Sequence, residues 1–313
     1  MAIFEINTNK AKRIKVAEFK LEKNLQNLVE QNLQVFFNCR FIASEFSTGI
    51  VHAGRIDTLA LSEDDNPVII EYKKVASSDL INQSLYYLNW LTDHKGDFEL
   101  AVQKNSGKDI NVDWSDIRVI CLAPEFKKYD LHAVKVMGAT IELWQYRWYE
   151  NNILNIEEVF RQSENHQVER SINPGNSKNP VMVEAGKKAA ITRRTATHSI
   201  EQHVENANPN IRRVFEFIRE YILSLDDSID ESPKKKGIAY RTTQNFVFLI
   251  IRKDSIKLYL KLNPNEITPF PIQARDVSNT GRRIGDLEIS ISNGKDFESV
   301  KNLIDKALNN IGG

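Results

Sequence analysis

The sequence predicts a mixed α/β sheet flanked by helices, followed by a smaller α+β domain. Three apolar, strand-like segments at 41–48, 54–61 and 68–74 follow one another with short breaks, and strands joined by short turns pair antiparallel. Helical and strand-like segments then alternate, which is typical of strand–helix–strand crossovers and parallel pairing. The hydrophobic periodicity stops between 161 and 200 and returns afterwards, so we expect two domains.

The elements of the first domain follow from apolar spacing and from strand-forming composition. Between 17 and 35 the apolar residues recur at helical spacing, and Ser77 or Ser78 is suited to cap a helix that begins at Asp79. Segments rich in Ile, Val, Phe and Thr indicate strands. The predicted order is helix 17–35, strands 41–48, 54–61 and 68–74, helices 79–91 and 97–103, strand 117–123, helix 127–137 and strand 139–149.

A change in composition marks the border between the predicted domains. Residues 161–200 are rich in Asn, Ser, Pro and basic residues, and Asn173-Pro174-Gly175-Asn176 is a strong structure breaker. We therefore predict a first domain at 1–160, a basic linker at 161–200 and an α+β domain at 201–313. In that last domain the pattern predicts helix 211–225, strands 237–242, 246–251, 256–262 and 286–292, and a closing helix 297–308.

Composition limits the classes of function. The 313 residues, 41% of them apolar, suffice for two domains with cores, and no apolar run approaches the roughly 18 residues of a membrane span. The N-terminus lacks the basic start and the apolar stretch of a signal peptide. Cys39 and Cys121 each lie in an apolar stretch, so we expect buried free thiols and a cytoplasmic protein. A formal net charge of zero excludes general attraction to a polyanion but leaves room for a local basic groove.

Two neighbouring strands carry charged side chains that suit metal and phosphate chemistry. A Gly-Arg-Ile-Asp run ending at Asp57 opens one strand, and a Glu-Tyr-Lys run ending at Lys73 closes the next after a hairpin turn. Because side chains alternate along a strand, Glu71 and Lys73 point to one face and Tyr72 to the other. Two acids and a lysine on one face suit a divalent cation and a water beside a phosphate, and Arg55 shares the parity of Asp57. The alternative is a structural ion pair between Asp57 and Lys73.

These residues match the signature of a nuclease superfamily. Asp57, Glu71 and Lys73 resemble the motif of the PD-(D/E)XK nucleases, with Gly-Arg-Ile-Asp in place of the Pro-Asp. Gln83 and Tyr87 lie four residues apart, on one face of the predicted helix, and resemble the Gln-x-x-x-Tyr motif of the RecB-like branch, where they would orient the lysine or contact the nucleic-acid backbone. The resemblance covers roughly residues 17–150 and implies a restriction-endonuclease-like fold for the first domain.

The resemblance also implies roles for these side chains. Glu22, on the first predicted helix, resembles the first acidic motif of that branch, and Glu30, about two turns later, is the rival candidate. Asp57, Glu71 and Glu22 are the expected ligands of Mg²⁺ or Mn²⁺, because hard cations prefer carboxylate oxygens. Lys73 is expected to orient the attacking water and to stabilise charge on the phosphate. The expected catalytic set comprises Asp57, Glu71, Lys73, Gln83, Tyr87 and Glu22.

The second domain is similar to a small C-terminal domain of unknown function that occurs alone or attached to such nucleases, and that is sometimes labelled a predicted transport protein. The stretch from Ala274 to Glu288 carries this resemblance. Because the sequence has no apolar span, we do not expect transport. Arginines beside glycines in this stretch suit phosphate binding; the alternative is a turn-rich connection with solvated arginines. The predicted nucleic-acid contacts are Arg55, Arg193, Arg194, Arg282 and Arg283.

Together these features predict a metal-dependent nuclease that hydrolyses the phosphodiester bonds of DNA, as an endonuclease in repair, restriction or phage defence. The resemblance supplies the preference for DNA, and RNA stays open. A homodimer is one way to cut both strands, since it brings two sites to one duplex. Two alternatives also stay open: a catalytically silent nucleic-acid-binding or assembly module, and a hydrolase of a small phosphodiester.

Overall fold

The computed structural model of the chain separates into two compact units, Met1–Ala196 and Thr197–Gly313. Within the described ranges, no helix combines the length and the apolar character that a bilayer span needs. Ser77 and Ser78 lie outside the described residues, as do residues 162–197 of the predicted linker. The structure describes residues 2–75, 79–106, 110–137, 141–161, 198–280 and 284–311.

The first unit contains a seven-stranded mixed sheet and a separate two-stranded ribbon. The ribbon pairs β1 (Phe4–Asn7) with β2 (Lys10–Arg13). The strands of the sheet are, in chain order, β3 (Val16–Ala17), β4 (Arg40–Ser47), β5 (Arg55–Leu61), β6 (Pro67–Tyr72), β7 (Arg118–Ala123), β8 (Ile141–Tyr149) and β9 (Ile153–Arg161).

The sheet has an antiparallel half and a parallel half. Its order is β3-β8-β7-β6-β5-β4, and β9 pairs with β8 as well. The β4–β5 and β5–β6 pairs are antiparallel, whereas β6–β7 and β7–β8 are parallel. This confirms the predicted mixed α/β sheet. The sequence pattern did not reveal β1, β2, β3 or β9: the first three are only four, four and two residues long, and β9 is exposed or half-buried throughout.

Helices cover both faces of this sheet. On one face, Leu25 and Val29 pack against Ile70 of β6. On the other face, Leu85 and Leu88 pack against Ile69, the preceding residue. Full burial of such side chains contributes about 1.5–3 kcal/mol each, and burial from both sides explains why β6 is apolar almost throughout. The helices are α1 (Glu22–Gln31), α2 (Leu33–Phe37), α3 (Gly49–His52), α4 (Asp79–Asp93), α5 (Lys95–Ser106) and α6 (Lys128–Met137).

The first helix differs from the predicted helix 17–35. It begins at Glu22, because Val16 and Ala17 form β3 and pair with the end of β8. It ends at Gln31, because the backbone of Asn32 leaves the helical region with φ −127°. Apolar spacing detects neither limit, since helical spacing continues across the break into α2.

The second unit is an antiparallel sheet with helices on one face, which confirms the predicted α+β architecture. Val214, Phe215 and Ile218 pack against Leu249 and Leu258 of the sheet. The strand order is β10-β11-β12-β13-β15-β14. The elements are α7 (Ile200–Val204), α8 (Pro209–Leu225), β10 (Asp230–Lys234), β11 (Gly237–Arg241), β12 (Asn245–Ile251), β13 (Ile256–Leu260), β14 (Ala274–Asp276), β15 (Leu287–Ile291) and α9 (Gly294–Ile311).

A buried ion pair joins β7 to β8. Arg118 Nε and Nη2 donate to the two carboxylate oxygens of Glu142, at 2.9 and 3.0 Å. Trp144 Nε1 also donates to Glu142 Oε2, at 3.0 Å. The side chains of Arg118 and Glu142 are only 9% and 0% exposed, so the loss of either partner leaves the other charge in a site with little access to water.

We expect Glu142→Ala to lower the free energy of unfolding by about 3–5 kcal/mol, because it leaves Arg118 buried without its main counter-charge. Urea denaturation measures this change. Glu298→Ala is the matched control, since Glu298 pairs with Lys301 at a position where both side chains are largely exposed, and it should cost less than about 1 kcal/mol. A double variant, Arg118→Met with Glu142→Leu, should recover most of the loss. Equal effects for Glu142→Ala and the control would contradict this account.

Candidate active site

Asp57 and Glu71 face each other across β5 and β6. The register pairs Thr58 with Ile70, which places the preceding Asp57 opposite Glu71. The backbone N–H of Asp57 donates to Glu71 Oε1 at 3.0 Å, and the backbone N–H of Tyr72 donates to Asp57 Oδ2 at 3.2 Å. Glu71 is 0% exposed, and its second oxygen, Oε2, is buried and accepts no hydrogen bond from the described residues.

The two carboxyl groups share a site that disfavours negative charge. Burial raises the pKa of Glu71 well above its usual value, and the neighbouring Asp57 carboxyl raises it further. Burial also raises the pKa of Asp57, against the lowering effects of the Tyr72 amide and of the Lys73 ammonium. The cost of holding both carboxylates here falls when a proton or a cation shares the site.

Lys73 lies at the end of β6, next to the start of α1. Its ammonium Nζ is 3.7 Å from Glu22 Oε1, in a pair whose side chains are 22% and 41% exposed. Glu22 Oε2 accepts a hydrogen bond from the backbone N–H of Lys74 at 2.8 Å. Glu22 therefore connects α1 to the end of β6, and its negative charge raises the pKa of Asp57 as a minor contribution after burial.

Helix α4 brings Gln83 and Tyr87 to the start of β5. The Tyr87 hydroxyl accepts a hydrogen bond from the Arg55 backbone N–H at 3.1 Å and one from Gln83 Nε2 at 3.3 Å. Gly54 lies directly beneath the ring, since a Cβ atom there would be 2.7 Å from Tyr87 Cε1. This explains the glycine of the Gly-Arg-Ile-Asp run. An open cleft of about 570 Å³ is lined by Ser47, Gly49, Ala53, Gly54, Arg55, Asp57, Gln83 and Tyr87.

Glu45 on β4 holds two cations at the rim of this cleft, which the sequence did not predict. Its carboxylate is 2.9 Å from Lys23 Nζ and 2.5 Å from Arg55 Nε. The hydrogen bond from Lys23 lowers the pKa of Glu45. The Glu45 backbone has φ +53°, which is uncommon for a residue other than glycine and turns this strand position out of regular geometry. Its alternation with apolar residues in the sequence indicates only an exposed strand residue.

The face of the sheet opposite the carboxylate pair holds a supporting hydrogen-bond network. Gln26 Nε2 donates to the Asp57 backbone oxygen at 2.8 Å and to Glu30 Oε1 at 2.9 Å. Glu30 Oε1 also accepts from Thr58 Oγ1 at 2.7 Å. Glu30, the rival candidate for the first acidic position, therefore contacts Thr58, while Glu22 lies beside Lys73. Gln26 is a buried polar residue, which the helical spacing of apolar residues does not reveal.

The donor set fits a hard divalent cation held by two carboxylates. Among the described residues, no group of three or more His, Cys, Asp or Glu side chains is arranged to hold a metal. Mg²⁺ commonly takes only one or two protein carboxylates and completes its shell with water and phosphate oxygens. The unpartnered, buried Glu71 Oε2 beside Asp57 is the kind of oxygen that such a cation satisfies. Four predicted contacts lie outside the described residues: Arg193, Arg194, Arg282 and Arg283.

Comparison with known proteins places the whole chain in a family. An uncharacterized protein of Haemophilus influenzae is 30% identical over 313 residues, an alignment that covers 98% of this chain and 99% of that protein. The chain belongs to the same family as this Haemophilus protein. Both units are therefore shared with the Haemophilus relative. A family model described as a domain of unknown function (DUF5655) matches residues 200–307, which confirms the predicted domain of unknown function in the second unit.

Two solved structures resemble part of the chain. The structure of EndoMS in complex with double-stranded DNA aligns with 46% of this chain and 64% of that chain, at 15% identity and a TM-score of 0.30. A repair endonuclease from Pyrococcus abyssi aligns with 42% of this chain and 49% of its own, at 18% identity and a TM-score of 0.23. With TM-scores this low, the architecture of the chain is established by its own strand order and register.

We expect Glu71→Gln to stabilise the metal-free protein at neutral pH by roughly 1–3 kcal/mol, because an amide avoids the cost of burying or protonating a carboxylate and supplies a donor to the Asp57 carboxylate. A raised folded-state pKa means that Glu71 stabilises the fold fully below its unfolded pKa, near 4.5, and that this contribution is lost as pH rises through the folded pKa. The Tm in EDTA, measured against pH, should therefore show a difference between variant and wild type that grows as pH rises.

Glu22→Gln is the control for this pH dependence, since it removes a carboxylate that is 41% exposed. Its Tm difference from wild type should stay nearly constant over the same pH range. A Glu71→Gln difference that shrinks as pH rises would contradict a raised Glu71 pKa.

We expect Gly54→Ala to lower the free energy of unfolding by about 1–3 kcal/mol, because the added methyl group overlaps the Tyr87 ring. Denaturant unfolding measures the loss. In a Tyr87→Ala background the same substitution should cost much less, so a double-mutant cycle gives a clear coupling energy. Gly96→Ala is the matched control, since a Cβ atom there meets nothing within 4 Å. Equal costs of Gly54→Ala with and without the Tyr87 ring would argue against this contact.

Proposed function

We propose that this protein is a metal-dependent nuclease that hydrolyses the phosphodiester bonds of DNA, acting as an endonuclease. One observation carries the proposal: Asp57 and Glu71 meet in a desolvated site, with an unpartnered Glu71 oxygen and with Lys73 at the end of the same strand. Clusters of acids that raise one another's pKa beside a cleft are typical of catalytic sites. The ordered match to the PD-(D/E)XK motifs supports the assignment to phosphodiester hydrolysis.

Asp57 and Glu71 are the proposed ligands of Mg²⁺ or Mn²⁺, and Glu22 is the proposed outer carboxylate of the same site. When bound, the cation would polarise the scissile phosphate and lower the pKa of the attacking water. Asp57 and Glu71 offer hard oxygen donors, and the backbone N–H groups that hold Asp57 Oδ2 and Glu71 Oε1 fix both carboxyl groups in place. Little reorganisation of the protein is then needed when the metal binds.

Lys73 is the proposed cation for the reacting phosphate. In the free protein its ammonium lies 3.7 Å from the Glu22 carboxylate, a distance at which the pair is partly solvated and weak. A phosphate oxygen competes with Glu22 for this ammonium. Lys73 is then placed to hold the attacking water and to stabilise the negative charge that develops on the phosphate.

Arg55, Gln83 and Tyr87 are proposed to position the substrate strand. Tyr87 and Gln83 anchor the backbone at the start of β5, two residues before Asp57. Arg55 lines the cleft, and its side chain is 68% exposed, so it is free to leave Glu45 and pair with a phosphate. Arg193, Arg194, Arg282 and Arg283 remain proposed contacts to nucleic acid on the strength of the sequence.

The choice of DNA over RNA rests on the motif resemblance, as does a role in repair, restriction or phage defence. A homodimer would present two such sites to the two strands of a duplex. The second unit is proposed to recognise the substrate or a partner.

Cleavage of a panel of linear, circular, branched, single-stranded and base-modified DNAs with Mg²⁺ or Mn²⁺ tests the proposal. We expect wild type to cut at least one substrate, and Asp57→Asn and Lys73→Met each to reduce the rate by roughly 10²-fold or more. Asp97→Asn and Lys104→Met, at exposed positions on α5, are matched controls and should keep wild-type rates. Equal rates for site and control variants would exclude this site, and a wild type that cuts none of the panel would overturn the proposed activity.

Metal binding gives a readout that does not need activity. We expect Mg²⁺ or Mn²⁺ to raise the Tm of wild type in a concentration-dependent way, because a ligand that binds the folded state stabilises it. The rise should be absent in Asp57→Asn and present in Asp97→Asn.

A further inference from the structure

The ribbon formed by β1 and β2 stands apart from the seven-stranded sheet. Its two strands pair only with each other in the described part of the chain, from Phe4 opposite Arg13 to Asn7 opposite Lys10. Phe4 and Ile6 are 52% and 67% exposed. A two-stranded hairpin without a covering layer is at best marginally stable in water. Contact with a partner outside the core of the first unit would therefore stabilise the ribbon.

The ribbon and the residues after it carry four exposed cations, Lys10, Lys12, Arg13 and Lys15. None of the four forms an ion pair within the residues that the structure describes. Many of the other described arginines and lysines are paired, for example Arg118. The chain as a whole has a net charge of zero, so this concentration of unpaired positive charge is local. A local patch of unpaired positive charge attracts anionic partners.

The two faces of the ribbon differ in chemistry. The register places Asn7 opposite Lys10 and Glu5 opposite Lys12, so these four side chains share one face. The other face carries Phe4, Ile6, Ala11 and Arg13 by the same register. Asn donates to base edges and a Glu accepts from the amino group of cytosine, while Lys donates to the phosphates that flank the groove. The polar face thus offers the groups used to contact a nucleic-acid groove.

The position of the ribbon relates it to the candidate active site. Tyr72 is level with Leu122, and Leu122 is level with Trp144 on the parallel strand β8. β8 continues to Tyr149, roughly 16 Å further, where it pairs with Val16 of the antiparallel β3. The ribbon precedes β3 in the chain, so it leaves the sheet at the end where β6 delivers Glu71 and Lys73. Three strand spacings, roughly 14 Å, separate β3 from β6 sideways.

We propose that the β1–β2 ribbon is a binding element for duplex nucleic acid and that it lies in the major groove beside the duplex segment that enters the active site. The inference rests on the proposed function, which supplies the identity of the polymer. It goes further by naming a duplex as the form that is bound and the ribbon as the element that binds it. The major groove accommodates a two-stranded β-ribbon, and the two offsets place the start of β3, which the ribbon precedes, roughly 20 Å from the carboxylate pair. At 3.4 Å per base pair, this corresponds to roughly six base pairs.

Salt-dependent binding of a fluorescent 30-base-pair duplex tests the ribbon separately from catalysis. The protein carries Asp57→Asn and the buffer contains EDTA, so binding is measured without cleavage. We expect Lys10→Gln with Lys12→Gln to weaken binding about tenfold or more and to lower the slope of log K against log salt by roughly 1.8, the value for two lost phosphate contacts. Lys95→Gln with Lys104→Gln, which removes the same charge from exposed positions on α5, should leave affinity and slope nearly unchanged.

Three outcomes would overturn the ribbon's role. The first is no binding of duplex in EDTA at low salt, and the second is equal loss in the ribbon and control pairs. The third is a self-association that Phe4→Ser with Ile6→Ser abolishes while duplex affinity stays unchanged, which would assign the ribbon to a second copy of the chain. Cleavage by wild type with no ribbon effect would leave the proposed function intact, and ribbon-dependent binding without cleavage would leave this inference intact.

Photocrosslinking gives an independent measurement. Asn9, at the tip of the ribbon, has φ +68° and is exposed. Because Cys39 and Cys121 are buried, the thiol of Asn9→Cys is the accessible thiol for attachment of an aryl azide. We expect the labelled protein to crosslink to duplex at higher yield than to the single strand, and Asn105→Cys, at an exposed position on α5, to give a much lower yield. Equal yields at the two positions would overturn the placement in the groove.

Discussion

The pairing of β5 with β6 brings the carboxyl groups of Asp57 and Glu71 together in a place with almost no water. Two acids in such a site repel one another and lose solvation, and burial raises the pKa of both. The fold tolerates this because backbone N–H groups hold one oxygen of each carboxyl, and because the apolar layers of α1 and α4 stabilise the strands on either side. The remaining electrostatic cost falls when a positive charge shares the site.

Positive charge occurs near this site in two forms. Lys73 and Arg55 are each paired with a carboxylate, Glu22 and Glu45, in contacts that are partly exposed. Such pairs contribute little to stability, so an anionic ligand displaces the acid at small cost. The ribbon cations, by contrast, face solvent with no counter-ion among the described residues. In the proposed function, long-range attraction acts through the ribbon, and the chemistry at the carboxylates uses cations that are released only on contact.

Local pattern predicted the strands that carry the candidate site, because Asp57, Glu71 and Lys73 lie on segments whose apolar content reflects burial on both faces. The same apolar segments also predicted the order of these strands along the chain. It missed the partners supplied by tertiary structure: Glu45 binds Arg55 through a left-handed backbone position, and the Gln26 side chain crosses from α1 to the β5 backbone. It also missed the ribbon, because strands of only four residues are too short for alternation to distinguish them.

The stretch from β4 to α4 forms its antiparallel contacts between neighbours in sequence, through short turns. Contacts of this kind close small loops and form early, whereas the parallel strand β7 joins β6 only after the chain has passed through two helices. We therefore expect Asp57 and Glu71 to pair while they are still hydrated, and to lose water only when β7 and its Cys121 arrive beside Glu71. In the absence of metal, the pKa of Glu71 then rises only in this late step, and we expect the height of the last folding barrier to depend on pH.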